Sequence, residues 1–123
     1  MDIPKRTILL CEDDQNLRQL LRVVLGGGYR FLEATNGDEA IKLALEERPD
    51  LVILDLMLPK LSGLDVLARL RTEPAAGRPR VIVMSAWADA EDAALSAGAD
   101  RFIAKPFELD DLSAIVRETL DGS

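Results

Sequence analysis

The chain has 123 residues, with 15 Lys and Arg against 22 Asp and Glu, one cysteine and no histidine. A single cysteine excludes an internal disulfide, and the lack of histidine excludes Ser-His-Asp and Cys-His catalysis, a histidine-ligated zinc site and phosphohistidine on this chain. The formal charge of −7 argues against direct nucleic acid binding, whereas surplus carboxylates suit a hard cation.

A hydrophobic fraction of 48% with 30% charged residues fits a globular fold, and no linker-like stretch divides the chain, so residues 1–123 read as one domain. The start, Met1–Arg6, has no apolar h-region, so no signal peptide is expected. No apolar run approaches the ~20 residues needed to cross a bilayer, and no membrane partner is expected. Cys11 lies in an apolar run, which suits a reduced, cytoplasmic setting.

In chain order, the first strand is expected at Thr7–Cys11, followed at once by Glu12, Asp13 and Asp14. A helix follows with Asp14 as N-cap, Leu17, Leu20, Leu21, Val24 and Leu25 inward, and Gly26-Gly27-Gly28 as its stop. The second strand is Arg30–Ala34. Asn36 and Glu39 read as a capping box for a helix with Ala40, Ile41, Ala44 and Leu45 inward, ending before Pro49. The third strand, Leu51–Leu54, runs into Asp55 and then Leu56-Met57-Leu58-Pro59. Ser62 caps the next helix, with Leu64, Leu67 and Leu70 on one face, and Thr72–Arg80 reads as a loop. The fourth strand, Val81–Met84, leads to Ser85. The alanine-rich stretch Asp89–Ala97, with Leu95 as its large apolar residue, should be the least firmly anchored helix. Arg101–Ala104 forms the fifth strand, followed by Lys105-Pro106 and a helix using Leu109, Leu112, Ile115, Val116 and Leu120.

Five such units give an α/β fold, a (βα)5 doubly wound open parallel sheet with helices on both faces. Ligands of open sheets sit at the carboxyl ends of the strands. That end collects Glu12, Asp13, Asp55, Ser85 and Lys105. Each alone has an ordinary reading: a helix cap, a turn residue or a solvated charge. Together they would require four coincidences at one end of one sheet, and clustered carboxylates repel one another unless a cation or lysine compensates. Glu12, Asp13 and Asp55 offer hard oxygens for Mg2+, and Asp55 could be a ligand or a nucleophile forming an acyl phosphate. Lys105 would then neutralise phosphoryl charge and Ser85 would donate a hydrogen bond to it.

In these pieces, ILLCEDD, LVILDLMLPKLSG, VIVMSA and FIAKPF, the chain resembles the receiver domain of two-component response regulators from Thr7 to about Leu120. Asp55 precedes Ser85 by 30 positions and Lys105 by 50, the family's usual spacing. The resemblance implies a flavodoxin-like sheet of strand order 2-1-3-4-5. It implies Asp55 as phosphoacceptor, Mg2+ held by Glu12, Asp13, Asp55 and the backbone carbonyl of Met57, and Ser85 and Lys105 on the phosphoryl group. Phe102 takes the aromatic switch position, Pro106 follows a cis peptide bond, and Pro59 and Gly63 fit the turn after Asp55. The acidic pair reads Glu-Asp where Asp-Asp is usual, and Phe102 lacks a tyrosine hydroxyl. Trp87 either packs in its loop against the fourth helix or controls access to Asp55.

The implied partners are a sensor histidine kinase or a histidine phosphotransfer protein as donor, and a downstream effector protein or output domain as recipient. A phosphorylation-dependent homodimer is compatible with this reading. Only Asp121-Gly122-Ser123 follows the last helix, so no output domain is expected here. Two alternatives stay open. An aspartyl-phosphate hydrolase of the dehalogenase type would want an acid two residues after Asp55, where Met57 stands, and turnover as an enzyme is not expected. A degenerate receiver would act as a phosphorylation-independent binding module, which the full set of site residues disfavours.

Overall fold

The computed structural model describes residues 5–122; the signal-peptide reading rests mainly on Met1–Pro4 and lies, with Ser123, outside them. Five strands, β1 (Arg6–Cys11), β2 (Tyr29–Ala34), β3 (Leu51–Asp55), β4 (Arg80–Ser85) and β5 (Arg101–Ala104), alternate with five helices. These are α1 (Gln15–Leu25), α2 (Gly37–Glu47), α3 (Gly63–Thr72), α4 (Glu91–Ser96) and α5 (Leu109–Asp121). The strands pair in parallel in the order β2-β1-β3-β4-β5, as the resemblance implies.

The unbroken apolar runs of β1, β3 and β4 follow from burial on both faces of the sheet. Leu9, Cys11, Val52, Leu54, Val81 and Val83 pack on one side with Ala40, Ile41 and Ala44 of α2, Val66, Leu67 and Leu70 of α3, and Ala94 of α4. Ile8, Leu10, Leu51, Ile53, Ile82 and Met84 pack on the other with Leu21 of α1 and Leu112 and Val116 of α5. Each fully buried Leu or Ile contributes about 2–3 kcal/mol, so this alternation fixes the register.

The caps follow the sequence closely. Asp14 accepts the amides of Asn16 and Leu17, and Ser62 accepts that of Asp65. Asn36 accepts the Glu39 amide at 2.9 Å, but the Glu39 carboxylate returns to the amide of Thr35, one residue earlier than a capping box requires.

Three inward assignments are corrected. Leu20, Leu64 and Leu109 are exposed by 42%, 37% and 37%. In α3 the reason is Gly63: a Cβ there would lie 2.5 Å from Leu56 Cα and 2.6 Å from the Asp55 carbonyl oxygen. The helix start presses on the chain leaving β3, and this rotates Val66 inward and Leu64 outward. The Thr72–Arg80 loop contains a 3-10 turn, Pro74–Ala76, that buries Ala76, and Arg80 already belongs to β4. The stretch Asp89–Ala97 is split into a 3-10 turn, Ala88–Ala90, and the six-residue α4, which has no side-chain cap and buries only Ala94.

An arginine pair ties α1 to β2. Arg18 Nε donates to Glu33 at 2.7 Å and Arg22 Nη1 to the same carboxylate at 2.5 Å, while Arg18 Nη1 also reaches the Glu12 carbonyl at 2.6 Å. Burial alone would raise the Glu33 pKa, but the two guanidinium groups outweigh it and hold the carboxyl below its ordinary value. A depressed folded pKa gives stability that is full above the unfolded value and is lost as pH falls through the folded one. Arg18→Ala should therefore cost about 2 kcal/mol at neutral pH. It should also flatten the acid limb of stability, as read by urea unfolding at neutral and acidic pH.

Candidate functional site

The switch in strand order lies between β1 and β3, whose carboxyl ends stand side by side: Cys11 is in register with Leu54. One residue further along each strand places Glu12 beside Asp55. Glu12 donates its amide to the Ala34 carbonyl, and Leu56 donates to the Met84 carbonyl, so both chains stay in the ladder while their side chains turn to the strand ends. β4 ends at Ser85, whose carbonyl accepts the Lys105 amide at 2.8 Å. The Lys105–Pro106 peptide is cis, as the resemblance implies.

Lys105 Nζ stands 2.5 Å from Asp55 Oδ2 and 2.7 Å from Glu12 Oε1. Both carboxylates are buried, Glu12 2% and Asp55 5% exposed. The free oxygen of each accepts a backbone amide: Met57 donates to Asp55 Oδ1 at 2.8 Å, and Asp14 to Glu12 Oε2 at 3.0 Å. Burial and the neighbouring Asp55 push the Glu12 pKa up to about 7 against the pull of Lys105 and the Asp14 amide. Burial acts on Asp55 in the same sense, but its pairing with the neighbouring Glu12, the Lys105 ammonium and the Met57 amide outweighs it, so its pKa is lowered. Lys105 pays for burial too, yet its two carboxylate partners raise its pKa. Of the two acids, Glu12 takes the proton more readily, and Asp55 stays ionised.

Of the residues singled out from the sequence, Glu12, Asp55 and Lys105 meet in one bonded cluster. Asp13 is exposed and makes no hydrogen bond to it among the described residues. Ser85 is fully buried, with its Oγ accepting the Trp87 amide at 2.9 Å and no bond to Asp55. Met57, which follows Asp55 by two residues, and Trp87, which follows Ser85 by two, are each 53% exposed. Phe102 is half-buried against the side of the sheet that carries α4, together with Ala90 and Ala97.

Two buried carboxylates set against one ammonium suit a hard dication in charge and donor type. No three acidic groups among the described residues form a ready ligand cluster. Mg2+ tolerates this, because it keeps several waters and takes one or two carboxylates.

Missing from the sequence reading is the mouth of the site. Leu17, Leu20, Ala86, Pro106, Phe107 and Leu109 line a groove of about 450 Å³ that reaches Lys105. Its signal was present in the leucines of α1 and α5, but helical spacing alone assigned them to the core.

Comparison with known proteins places this geometry among relatives. The family model of the response regulator receiver domain matches residues 8–117. The chain is 40% identical over 123 residues to the DNA-binding response regulator MtrA of Mycobacterium tuberculosis, covering 98% of this chain and 53% of that protein. It thus spans about half the length of the curated relatives it matches. A CheY-like response regulator receiver domain protein from Methanospirillum hungatei superposes with a TM-score of 0.85 at 27% identity, covering 96% of this chain and 95% of the other. The receiver domain of a Pseudomonas aeruginosa sensor histidine kinase, solved with a magnesium ion coordinated in its active site cleft, superposes with a TM-score of 0.81 at 27% identity, covering 95% and 98%.

Proposed function

This chain belongs to the response regulator receiver domain family, and from that premise we propose that it is the phosphoacceptor switch of a two-component relay, with Asp55 as the residue phosphorylated. The observation that carries this is the Lys105 ammonium bridging Asp55 and Glu12 at a buried strand end. An ionised carboxylate with a cation at one oxygen is a poised nucleophile that no base on this chain needs to activate.

In the proposed transfer, an Asp55 oxygen forms a bond to the phosphorus of a phosphohistidine on a sensor histidine kinase or phosphotransfer protein. The phosphorus–nitrogen bond breaks, and the imidazole keeps its electron pair and takes a proton. Lys105 neutralises charge on the phosphoryl oxygens. Ser85 accepts from Trp87 but keeps its own hydroxyl proton, which it can donate to a phosphoryl oxygen. Bound Mg2+ supplies further positive charge at the phosphoryl oxygens, and Glu12, Asp13, Asp55 and the Met57 carbonyl would hold it. Drawing Ser85 inward vacates space beside β4, and Phe102 follows. The thinly anchored α4 then shifts and alters the face that an effector, or a second copy, reads.

The exposed groove beside Lys105 suits the donor. Replacing Leu20 with Asp should slow transfer from a phosphohistidine protein about tenfold, the equivalent of ~1.4 kcal/mol. The rate with acetyl phosphate should not change, because that donor needs no docking surface.

The reading is tested by intact-mass measurement after incubation with acetyl phosphate and Mg2+. One phosphoryl group per chain is expected, labile to hydroxylamine and absent with EDTA. Steady release of phosphate without a covalent species would favour a hydrolase. Failure of both labelling and any Trp87 fluorescence response to Mg2+ would leave a phosphorylation-independent binding module.

A further inference from the structure

The far end of the sheet holds a second polar site. Arg6 opens β1, Arg48 caps the C-terminus of α2, Arg78 follows the Pro74–Ala76 turn and Arg80 opens β4. These four arginines line a single open depression of about 530 Å³, with Pro49, Asp50, Pro79 and Leu120 completing its walls. In a chain of net charge −7 with 15 basic residues, such a concentration stands out.

Little compensates this charge. Asp50, the carboxylate in the wall, accepts the Thr7 amide at 2.7 Å. Arg6 and Arg80 approach Asp121 and Asp100 only at 3.8 Å. Arg48 and Arg78 form no ion pair among the described residues. The positive charges of Arg78 and Arg80 also lie close enough to Arg71 to help lower its pKa, after burial, against the opposing effect of Asp100.

Backbone geometry points the same way. Arg48 and Arg78 have φ of 47° and 52°, a region where glycine is favoured and side chains cost stability. The C-terminal dipole of α2 explains a cation at Arg48 but not the other three. Gly77, between the two, leaves room for the Arg48 guanidinium: a Cβ there would meet its Nε at 3.0 Å. Strained backbone retained beneath uncompensated charge indicates a role in binding.

We propose that this depression binds an oligophosphate, its adjacent phosphate groups bridging the guanidinium forks of Arg48, Arg78 and Arg80. Guanidinium forks match phosphate oxygens bidentately. The walls offer no aromatic platform for a nucleobase, so the phosphate chain is the recognised part. The site lies at the opposite end of the strands from Asp55 and is independent of phosphorylation there.

The test is calorimetric titration of sodium tripolyphosphate into the protein in EDTA at low salt, which removes metal-bridged binding at Asp55. One saturable site is expected, weakened by added salt and at least tenfold by the double substitution Arg48→Gly with Arg78→Gly. Glycine suits both positive φ values, so the double variant should unfold no earlier than the parent. A parallel titration with ATP separates the sources: equal affinity assigns recognition to the phosphates, and tighter binding adds a nucleoside contact. Side-chain Nε–H spectra of the unsubstituted protein should show Arg48 and Arg78 shifting on saturation. Absence of a saturable site, unchanged affinity in the double variant, or shifts confined to the Asp55 end would overturn the proposal.

Discussion

Replacing Lys105 with alanine should lower stability by about 3 kcal/mol in EDTA, because it leaves two buried carboxylates facing each other without a cation. The backbone amides of Met57 and Asp14 still hold one oxygen of each, so the cluster strains rather than disperses. Mg2+ should restore much of the loss, since a dication can take over the role of the ammonium. Phosphorylation should fare worse than stability. With Lys105 gone, charge on the phosphoryl oxygens loses a fixed partner, and the rate with acetyl phosphate should fall about a hundredfold even at saturating Mg2+. Urea unfolding with and without Mg2+, beside a labelling time course, reads the two effects separately. Equal stability of parent and variant in EDTA would mean that Lys105 does not bear the charge of this cluster.

Arg71→Ala should cost a similar ~3 kcal/mol by a different route, leaving the phosphorylation chemistry itself intact. The Arg71 side chain is only 13% exposed and makes three bonds: Nε to the Gly98 carbonyl at 2.9 Å, Nη1 to the Pro79 carbonyl at 2.7 Å and Nη2 to Asp100 at 3.0 Å. It thereby joins α3 to the entry of β4 and to the turn between α4 and β5. Asp100 in turn accepts the Val81 amide at 2.8 Å. Truncation strands two carbonyls and leaves Asp100 Oδ2 with the Val81 amide but without its guanidinium partner. Lysine should recover only part of the loss, because one ammonium cannot reproduce the planar fork. The measurement is a comparison of urea midpoints for the parent, Arg71→Ala and Arg71→Lys.

The Arg71 bolt also illustrates what sequence could not convey. β1, β3 and β4 were legible because burial on both faces demands unbroken apolar runs, and the site followed from them, since a parallel sheet presents whatever comes next at one end. The placement of Glu12, Asp55, Ser85 and Lys105 at that end was legible in this way, and the caps at Asp14, Asn36 and Ser62 by local chemistry. Arg71 and Asp100 are 29 positions apart and follow no period, so their pairing left no local trace. Asp50 and Asp100 did carry a signal: each directly precedes a strand and accepts an amide from the start of the neighbouring one, Thr7 or Val81. Helical spacing likewise told which leucines could face inward but not which would. Leu20 and Leu109 are spared burial at the mouth of the site, and Leu64 is turned out by the contact of Gly63 with the Asp55 segment.

The assignment of Asp55 is tested most directly by borohydride reduction after phosphorylation, followed by peptide mass mapping. Hydride attack on an acyl phosphate expels phosphate and carries the aspartyl carbon through to the alcohol, leaving homoserine at the modified position. Homoserine at position 55, absent from unphosphorylated protein and from Asp55→Asn, is the predicted result. Homoserine at position 13, 5-hydroxynorvaline at position 12 (the alcohol that a reduced glutamyl phosphate leaves), or stable label with no reduced residue would contradict it.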